Sequence, residues 1–367
     1  LIVSPGTTLF RYLARVYGFN LLALTMILLG IVALFDTIEL LRRAAKYADV
    51  GFGLVLRMEF LRLPELAMTI APFIVLFAAL FSFWQLGRRQ ELVVLRSSGV
   101  SVWQFLSPIV CVALLSGIFV VAVLDPISAA FYSRYDVLNK TYLKRENASV
   151  IALFDEGMWL KQATEGGHAI LHASKIEMPE WRLHNVMVLF FDQNDVFAER
   201  MDAPSAQLKS GNWLLKEAVL NIPGHSFRKS EQAMIPTNLT VTDIEESFSA
   251  PETMGFWNLP SYIGTLEGTG FDSTRLRIHF QSLLALPLLF ASMVFLAACV
   301  AMRQSRQGGG FSFVLIGVVA GFVVFFVSNF LQALGASHQL PVFLSAWSPA
   351  LLSTLVGISV LLSLEDG

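Results

Sequence analysis

Cysteine is nearly absent: Cys111 and Cys299 are the only two, and both lie inside long apolar runs. That excludes a disulfide framework, and a lone thiol in such a run is read as a small packing residue. Charge is scarce too. Asp, Glu, Lys and Arg make up 15% of the 367 residues, and 55% are hydrophobic. Soluble domains carry about 25% charged residues. The composition therefore belongs to a polytopic membrane protein.

Several catalytic signatures are missing. None of the eight lysines follows a glycine, so the chain has no G-x-x-x-x-G-K-[ST] phosphate loop. It has no H-E-x-x-H and no Cys/His cluster at zinc spacing. His168 and His172 would share one face of a strand, where solvated strand histidines compete with a metal pair as the reading. No cofactor is expected, and no nucleic-acid partner.

The charges that do occur are unevenly placed. No ionisable Asp, Glu, Lys, Arg or His lies between Arg15 and Asp36, Glu65 and Arg88, Arg96 and Asp125, His279 and Arg303, Arg306 and His338, or His338 and Glu365. Each window is about 20 residues or longer, enough for a helix to cross a ~30 Å hydrocarbon core. The windows give six spans, three on each side of a polar centre. No signal-peptide pattern precedes the first span, which is read as a retained helix. Proton- or ion-coupled transporters keep a charge in mid-span. These span centres hold none, so any work done draws its energy from elsewhere.

The polar centre reads as β structure. "MWLKQATEGGHAILHASKIE" holds two extended runs around Gly166-Gly167, a hairpin signal. Further short runs follow at even spacing with no helix-period segment between them, which favours a sandwich or jelly-roll over a parallel sheet. The expected fold is a six-span (3+3) α-helical membrane protein with an inserted all-β, jelly-roll-like domain. The expected divisions are 1–138, 139–270 and 271–367.

Arg11, Arg15, Arg88, Arg89, Arg96, Arg303 and Arg306 flank the spans on the side of both termini. The positive-inside rule then places both termini in the cytoplasm and the β domain outside. Arg42, Arg43 and Lys46 end span 1, Arg134 follows span 3, and Arg275 and Arg277 precede span 4. They form an outer basic collar. Snorkelling near helix ends accounts for each one singly. Recognition of an anionic head group accounts for their convergence, since arginine's fork suits phosphate.

The stretch GRRQELVVLRSSGVS, Gly87 to Ser101, joins spans 2 and 3. Gln90 to Ser98 has helix-forming content and Gly99 fits a helix stop. Leu92, Val93, Val94 and Leu95 are too contiguous for period alone to separate helix from strand. Such a strip buries itself in the bilayer face or the bundle, or offers itself, with Glu91 and Arg96, to a partner's groove.

"RRQELVVLRSSGVS" resembles the signature of the lipopolysaccharide-transport permeases LptF and LptG (YjgP/YjgQ), where an E-L-x-x-[LM]-x-x-x-G segment forms the coupling helix. "DEGMWLK" at Asp155 to Lys161 resembles that family's first jelly-roll strand, closer to the G-type than the F-type member. The likeness covers essentially the whole chain. It implies one permease half of an ABC exporter in the bacterial inner membrane. Its partners would be an F-type permease, two copies of an LptB-type cytoplasmic ATPase and an LptC-type single-span protein. Its cargo would be lipopolysaccharide, passed to a periplasmic β-jelly-roll bridge.

The resemblance places the coupling helix at about 88–99, with Arg89, Glu91, Leu92, Leu95 and Arg96 as docking residues. The G-type member often carries a lysine in the outer part of span 1. Here Ile31 to Phe35 are all apolar, and Arg42, Arg43 and Lys46 stand as its neighbours. A membrane-anchored assembly or signalling platform, whose β domain binds a protein, is the alternative.

Overall fold

The computed structural model describes residues 6–47, 50–91, 94, 97, 99–144, 150–154, 157–164, 167–177, 181–192, 196–209, 211–223, 226–237, 253–269, 272–304 and 310–365. The helices are α1 (Thr7–Ala44), α2 (Phe52–Arg88), α3 (Val102–Phe119), α4 (Asp125–Asn139), α5 (Leu259–Thr269), α6 (Thr274–Gln304), α7 (Gly310–Ala336) and α8 (Val342–Glu365). Among the described residues, six helical segments are long and apolar enough to cross a membrane. The chain is an α-helical membrane protein with an inserted β domain. It divides into two compact units. The first holds Leu1–Tyr135, Glu252–Trp257 and Arg277–Gly367, the second Asp136–Pro251 and Asn258–Leu276.

In the helical unit, α1 is 38 residues long, about 57 Å at 1.5 Å per residue. That is nearly twice the hydrocarbon thickness, so charges at its C-terminal end need not sit in lipid. The core gathers Leu13 and Tyr17 of α1, Leu76, Phe83 and Leu86 of α2, Phe105 and Ile109 of α3, Phe290 and Val294 of α6 and Leu361 of α8. With no hydrophobic drive between helices in lipid, small residues and buried polar bonds set the contacts. Asn20 donates from Nδ2 to Ser82 Oγ (2.8 Å) and Gln85 Oε1 (3.2 Å), tying α1 to α2. At Gly117, a Cβ would come within 2.6 Å of the Pro287 Cα, so only glycine lets α3 and α6 approach this closely.

The α3–α4 junction is a π-helical stretch, Val120–Leu124, followed by Asp125-Pro126. Proline has no N–H to offer the carbonyl four residues back. That carbonyl, Ala122 O, instead accepts the indole N–H of Trp257 (3.2 Å). Asp125 Oδ2 accepts the Phe256 N–H (2.6 Å). The break is therefore sealed by a segment more than 130 residues away in sequence.

The β unit is a seven-stranded antiparallel sheet in sequential order. Its strands are β1 (Val150–Phe154), β2 (Gly157–Thr164), β3 (Gly167–Glu177), β4 (Arg182–Asp192), β5 (Phe197–Lys209), β6 (Asn212–Asn221) and β7 (Arg228–Pro236). The hairpin expected around residues 166–167 is the β2–β3 turn. Gln162 of β2 donates to the carbonyl of Pro236 at the end of β7 (3.2 Å), so the sheet curls until strands near its opposite edges meet. The concave face is filled by Met158, Leu160, Leu171, Leu183, Trp213 and Leu215, each at most 2% exposed.

A crease crosses the sheet. Inward-facing residues lie three apart instead of two at Ala173/Ile176, Leu183/Val186, Ala203/Ala206 and Leu215/Ala218. The ladder pairs skip Ser174, Asn185, Pro204, Glu217 and Glu231 along that line. Asn185 and Glu217 sit there with φ of 50° and 51°, in the left-handed region. Asparagine tolerates that conformation and β-branched residues do not. An Asn185→Val variant is expected to destabilise the β unit by about 1–3 kcal/mol, read as a lower denaturation midpoint, whereas Asn185→Gly should hold or raise it.

Candidate functional site

The linker between α2 and α3 is bounded by two left-handed residues. Helix α2 ends at Arg88, and Gln90 takes φ 59°. Helical hydrogen bonding resumes at once, with the Val94 N–H donated to Gln90 O (3.1 Å), and Ser97 Oγ donates to Val94 O (2.9 Å). Gly99 then adopts φ 81°, the stop its residue type predicts. Ser101 opens α3 with a capping box. Its Oγ accepts the Gln104 N–H, and Gln104 Oε1 accepts the Ser101 N–H. The described residues of the linker thus carry helical hydrogen bonding between the two left-handed residues.

Its polar groups are held from behind. Tyr12 of α1 donates its hydroxyl to Glu91 (2.9 and 3.1 Å to the two oxygens), and Arg89 lies 3.9 Å from the same carboxylate. Arg88 stacks over the Trp84 ring at 5.1 Å. Val94, the described member of the aliphatic strip, is 63% exposed. Leu92, Leu95 and Arg96 lie outside the described residues, as does Val93.

At the opposite end of α1, Arg42 donates from Nε (2.8 Å) and Nη2 (2.9 Å) to Glu39, and Arg43 donates from Nε (3.1 Å) to the same carboxylate. The side chains of Arg42 and Arg43 are 74% and 44% exposed. Glu39 thus holds both guanidiniums at the helix end. Tyr135 of α4 has Arg43 among its charged neighbours, which brings the end of α1 to α4. Lys46 is exposed beyond the helix end, and Arg134 is exposed on α4. Arg275 and Arg277 are exposed in the first turn of α6, Arg275 in the second unit and Arg277 in the first.

Sequence reasoning passed over the most buried charges. Arg62 of α2 donates from Nη1 to both carboxylate oxygens of Asp36 on α1 (2.8 and 3.0 Å). Its Nε lies 3.6 Å from Glu65, and its guanidinium stands 5.4 Å over the Tyr135 ring. Glu59, one turn earlier, is 6% exposed, and among the described residues neither of its oxygens accepts a hydrogen bond. The spacing 59, 62, 65 places all three groups on one helix face, and that periodicity was the available signal. The cluster pins α1, α2 and α4 together where the helices outrun the charge-free windows.

In the β unit, Met187, Leu189 and Phe191 of β4 and Val196 beyond it do not face the closed interior. Val186 and Val188 do. The other face carries aromatic pairs: His168 stacks on Phe191 (4.9 Å) and His172 on Trp159 (4.4 Å). The crease shifts the alternation by one residue, so a phase read from the strand sequence picks the wrong face. Outside the spans, His184 bonded to Glu177 (3.0 Å) holds that carboxyl below its usual range.

The family described as "Lipopolysaccharide export system permease LptF/LptG" matches residues 11–363. The chain is 22% identical to the lipopolysaccharide export system permease protein LptG of Haemophilus influenzae, over 94% of this chain and 95% of the relative. It is 20% identical to the protein of the same name from Escherichia coli, over 98% of this chain and 99% of the relative. With six apolar helical spans, an inserted antiparallel β unit and a match from end to end, the chain belongs to the LptF/LptG family of lipopolysaccharide export system permeases.

Proposed function

We propose that this chain is the G-type permease half of an ABC exporter that takes lipopolysaccharide from the inner membrane and hands it to a periplasmic β bridge. The chain pairs with an F-type permease, two copies of an LptB-type ATPase and an LptC-type single-span protein. Both termini face the cytoplasm and the β unit faces the periplasm. The chain itself performs no catalysis. The observation that carries this reading is the 88–99 element: a helical piece between two left-handed residues, with an exposed aliphatic side chain at Val94 and its acid tied back to Tyr12. A chain with no phosphate loop and no charge in its span centres needs an outside motor, and the exposed Val94 supports this element as the place where it docks.

Energetics support the route. Each methylene buried in lipid is worth about 0.8 kcal/mol, so a cargo with dozens of them cannot be carried through water by head-group contacts. The path must stay apolar, with basic residues reading only the head. Arg42, Arg43 and Lys46 are the residues we assign to the phosphates, with Arg134, Arg275 and Arg277 as further members of the collar. Reversing the first three to glutamate is expected to weaken lipopolysaccharide binding by about tenfold or more, the scale of one or two lost charge-assisted bonds. Native mass spectrometry of the purified complex reads this as loss of the bound multi-acyl, phosphorylated lipid. Unchanged occupancy would return these residues to snorkelling.

A further inference from the structure

Within the helical unit, α2, α4, α6, α7 and α8 line a partly open cavity of about 360 Å³. All of its lining residues belong to that unit. Its wall is graded. On α6 the lining begins at His279 and Ser282 and continues through Leu286 and Leu289 to Met293. On α7 it runs from Gly321 to Asn329 and Gln332. A Cβ at Gly335 would come within 2.9 Å of Ile278, which places the polar ends of α6 and α7 side by side. One end of the cavity is therefore polar and the other apolar.

The shape is elongated. The lining on α6 runs from His279 to Met293, 14 helical steps or about 21 Å, the length of an extended alkyl chain with a small head group. A cavity this large, mostly apolar with a few convergent polar groups, has the character of a ligand pocket.

The polar end selects the head group. Among the described residues, His279 Nε2 and Ser282 Oγ are both buried without a hydrogen-bond partner, a condition that native proteins rarely leave unanswered. Glu65 and Asp125 supply two carboxylates to the wall, and among the described residues no lysine or arginine lines it. A phosphate or carboxylate head would meet two acids there, Glu65 with Arg62 at 3.6 Å behind it and Asp125, rather than a basic wall. A hydroxyl or amine would find partners.

We propose that this cavity is a binding site for a single-chain amphiphile with an uncharged or cationic hydrogen-bonding head, such as a long-chain alcohol or amine. The head sits at His279 and Ser282, and the chain runs toward Met293 and Gly321. Its residues are other than the basic ones assigned to the anionic cargo, and its test does not depend on transport.

The purified protein in phosphatidylcholine nanodiscs is exposed to diazirine derivatives of dodecanol, dodecylamine and dodecanoic acid, and adducts are mapped by mass spectrometry. The expected result is labelling of α6 and α7 at cavity-lining residues by the alcohol and the amine. The acid should label at least about tenfold less, and excess dodecanol should compete, as loss of one buried hydrogen-bonding contact predicts. Ser282→Leu should cut that labelling while the melting temperature holds. Should that variant fail to fold, the head-group ranking and the competition on the unaltered protein decide. Equal labelling by all three probes, adducts confined to exposed faces such as Phe322 and Phe326, or full labelling of a folded Ser282→Leu protein would overturn the proposal.

Discussion

Replacing Arg62 with leucine should cost the helical unit about 3–5 kcal/mol, the usual result of removing one partner from a buried ion pair. The arginine bridges Asp36, at 2.8 and 3.0 Å, and approaches Glu65 at 3.6 Å. Without it, Asp36, Glu59 and Glu65 would share one region with no cation bonded to them among the described residues. The Asp36 side chain is only 13% exposed and the Glu59 residue 6%, so solvent offers little relief. A large part of the loss is the penalty on the stranded acids rather than the worth of the pair. A triple variant, Arg62→Leu with Asp36→Leu and Glu59→Leu, should therefore recover most of the stability. Denaturation midpoints in detergent, with pulse proteolysis as a second probe, check both statements. A single Arg62→Leu variant as stable as the parent would mean the cluster is solvated.

The second large effect concerns the 88–99 element. Putting aspartate at Leu92 together with Glu91→Ala should weaken ATPase docking by about 2–4 kcal/mol, the range of an interface hot spot, or roughly 30- to 1,000-fold in affinity. The helical unit should stay folded, because Val94, the described aliphatic of the element, is 63% exposed. Tyr12 offers an internal control. Its hydroxyl bonds to Glu91 at 2.9 Å, so Glu91 either holds the element to α1 or reaches the motor directly. If the tie to α1 is what matters, Tyr12→Phe should lower coupling, read as ATP hydrolysed per lipid moved, while binding stays normal. If Glu91 acts on the motor alone, Tyr12→Phe should leave coupling unchanged.

How much of this was legible in the sequence depends on what each feature costs. The spans were readable because a charge in hydrocarbon is expensive, and gaps of twenty residues without one are conspicuous. The helix ends were not. Helices α1 and α2 run well past those gaps, because Asp36, Arg62 and Glu65 neutralise one another across two helices. Pairing across 26 residues leaves no local pattern.

The strands were readable from turn residues such as the glycines at 166 and 167, but their inward phase was not. The crease through Asn185 and Glu217 inserts one residue into the alternation on several strands at once. The helical character of the linker was ambiguous because four contiguous aliphatics fit either period. Two backbone angles, at Gln90 and Gly99, define where it turns. Arg42 and Arg43 were legible as basic residues at the end of span 1, yet their shared bond to Glu39 emerged only from geometry. The cavity behind His279 and Ser282 left no trace in the sequence, since it is made by five helices meeting.

The most direct test of the account is to purify the chain from native membranes and ask whether a separate ATPase carrying a phosphate loop comes with it. The account predicts stoichiometric recovery of that ATPase, two copies per pair of permease chains, and its loss when Glu91→Ala and Leu92→Asp are introduced together. Recovery of a folded, lipid-loaded chain with no ATPase, or undiminished recovery with the double variant, would contradict it.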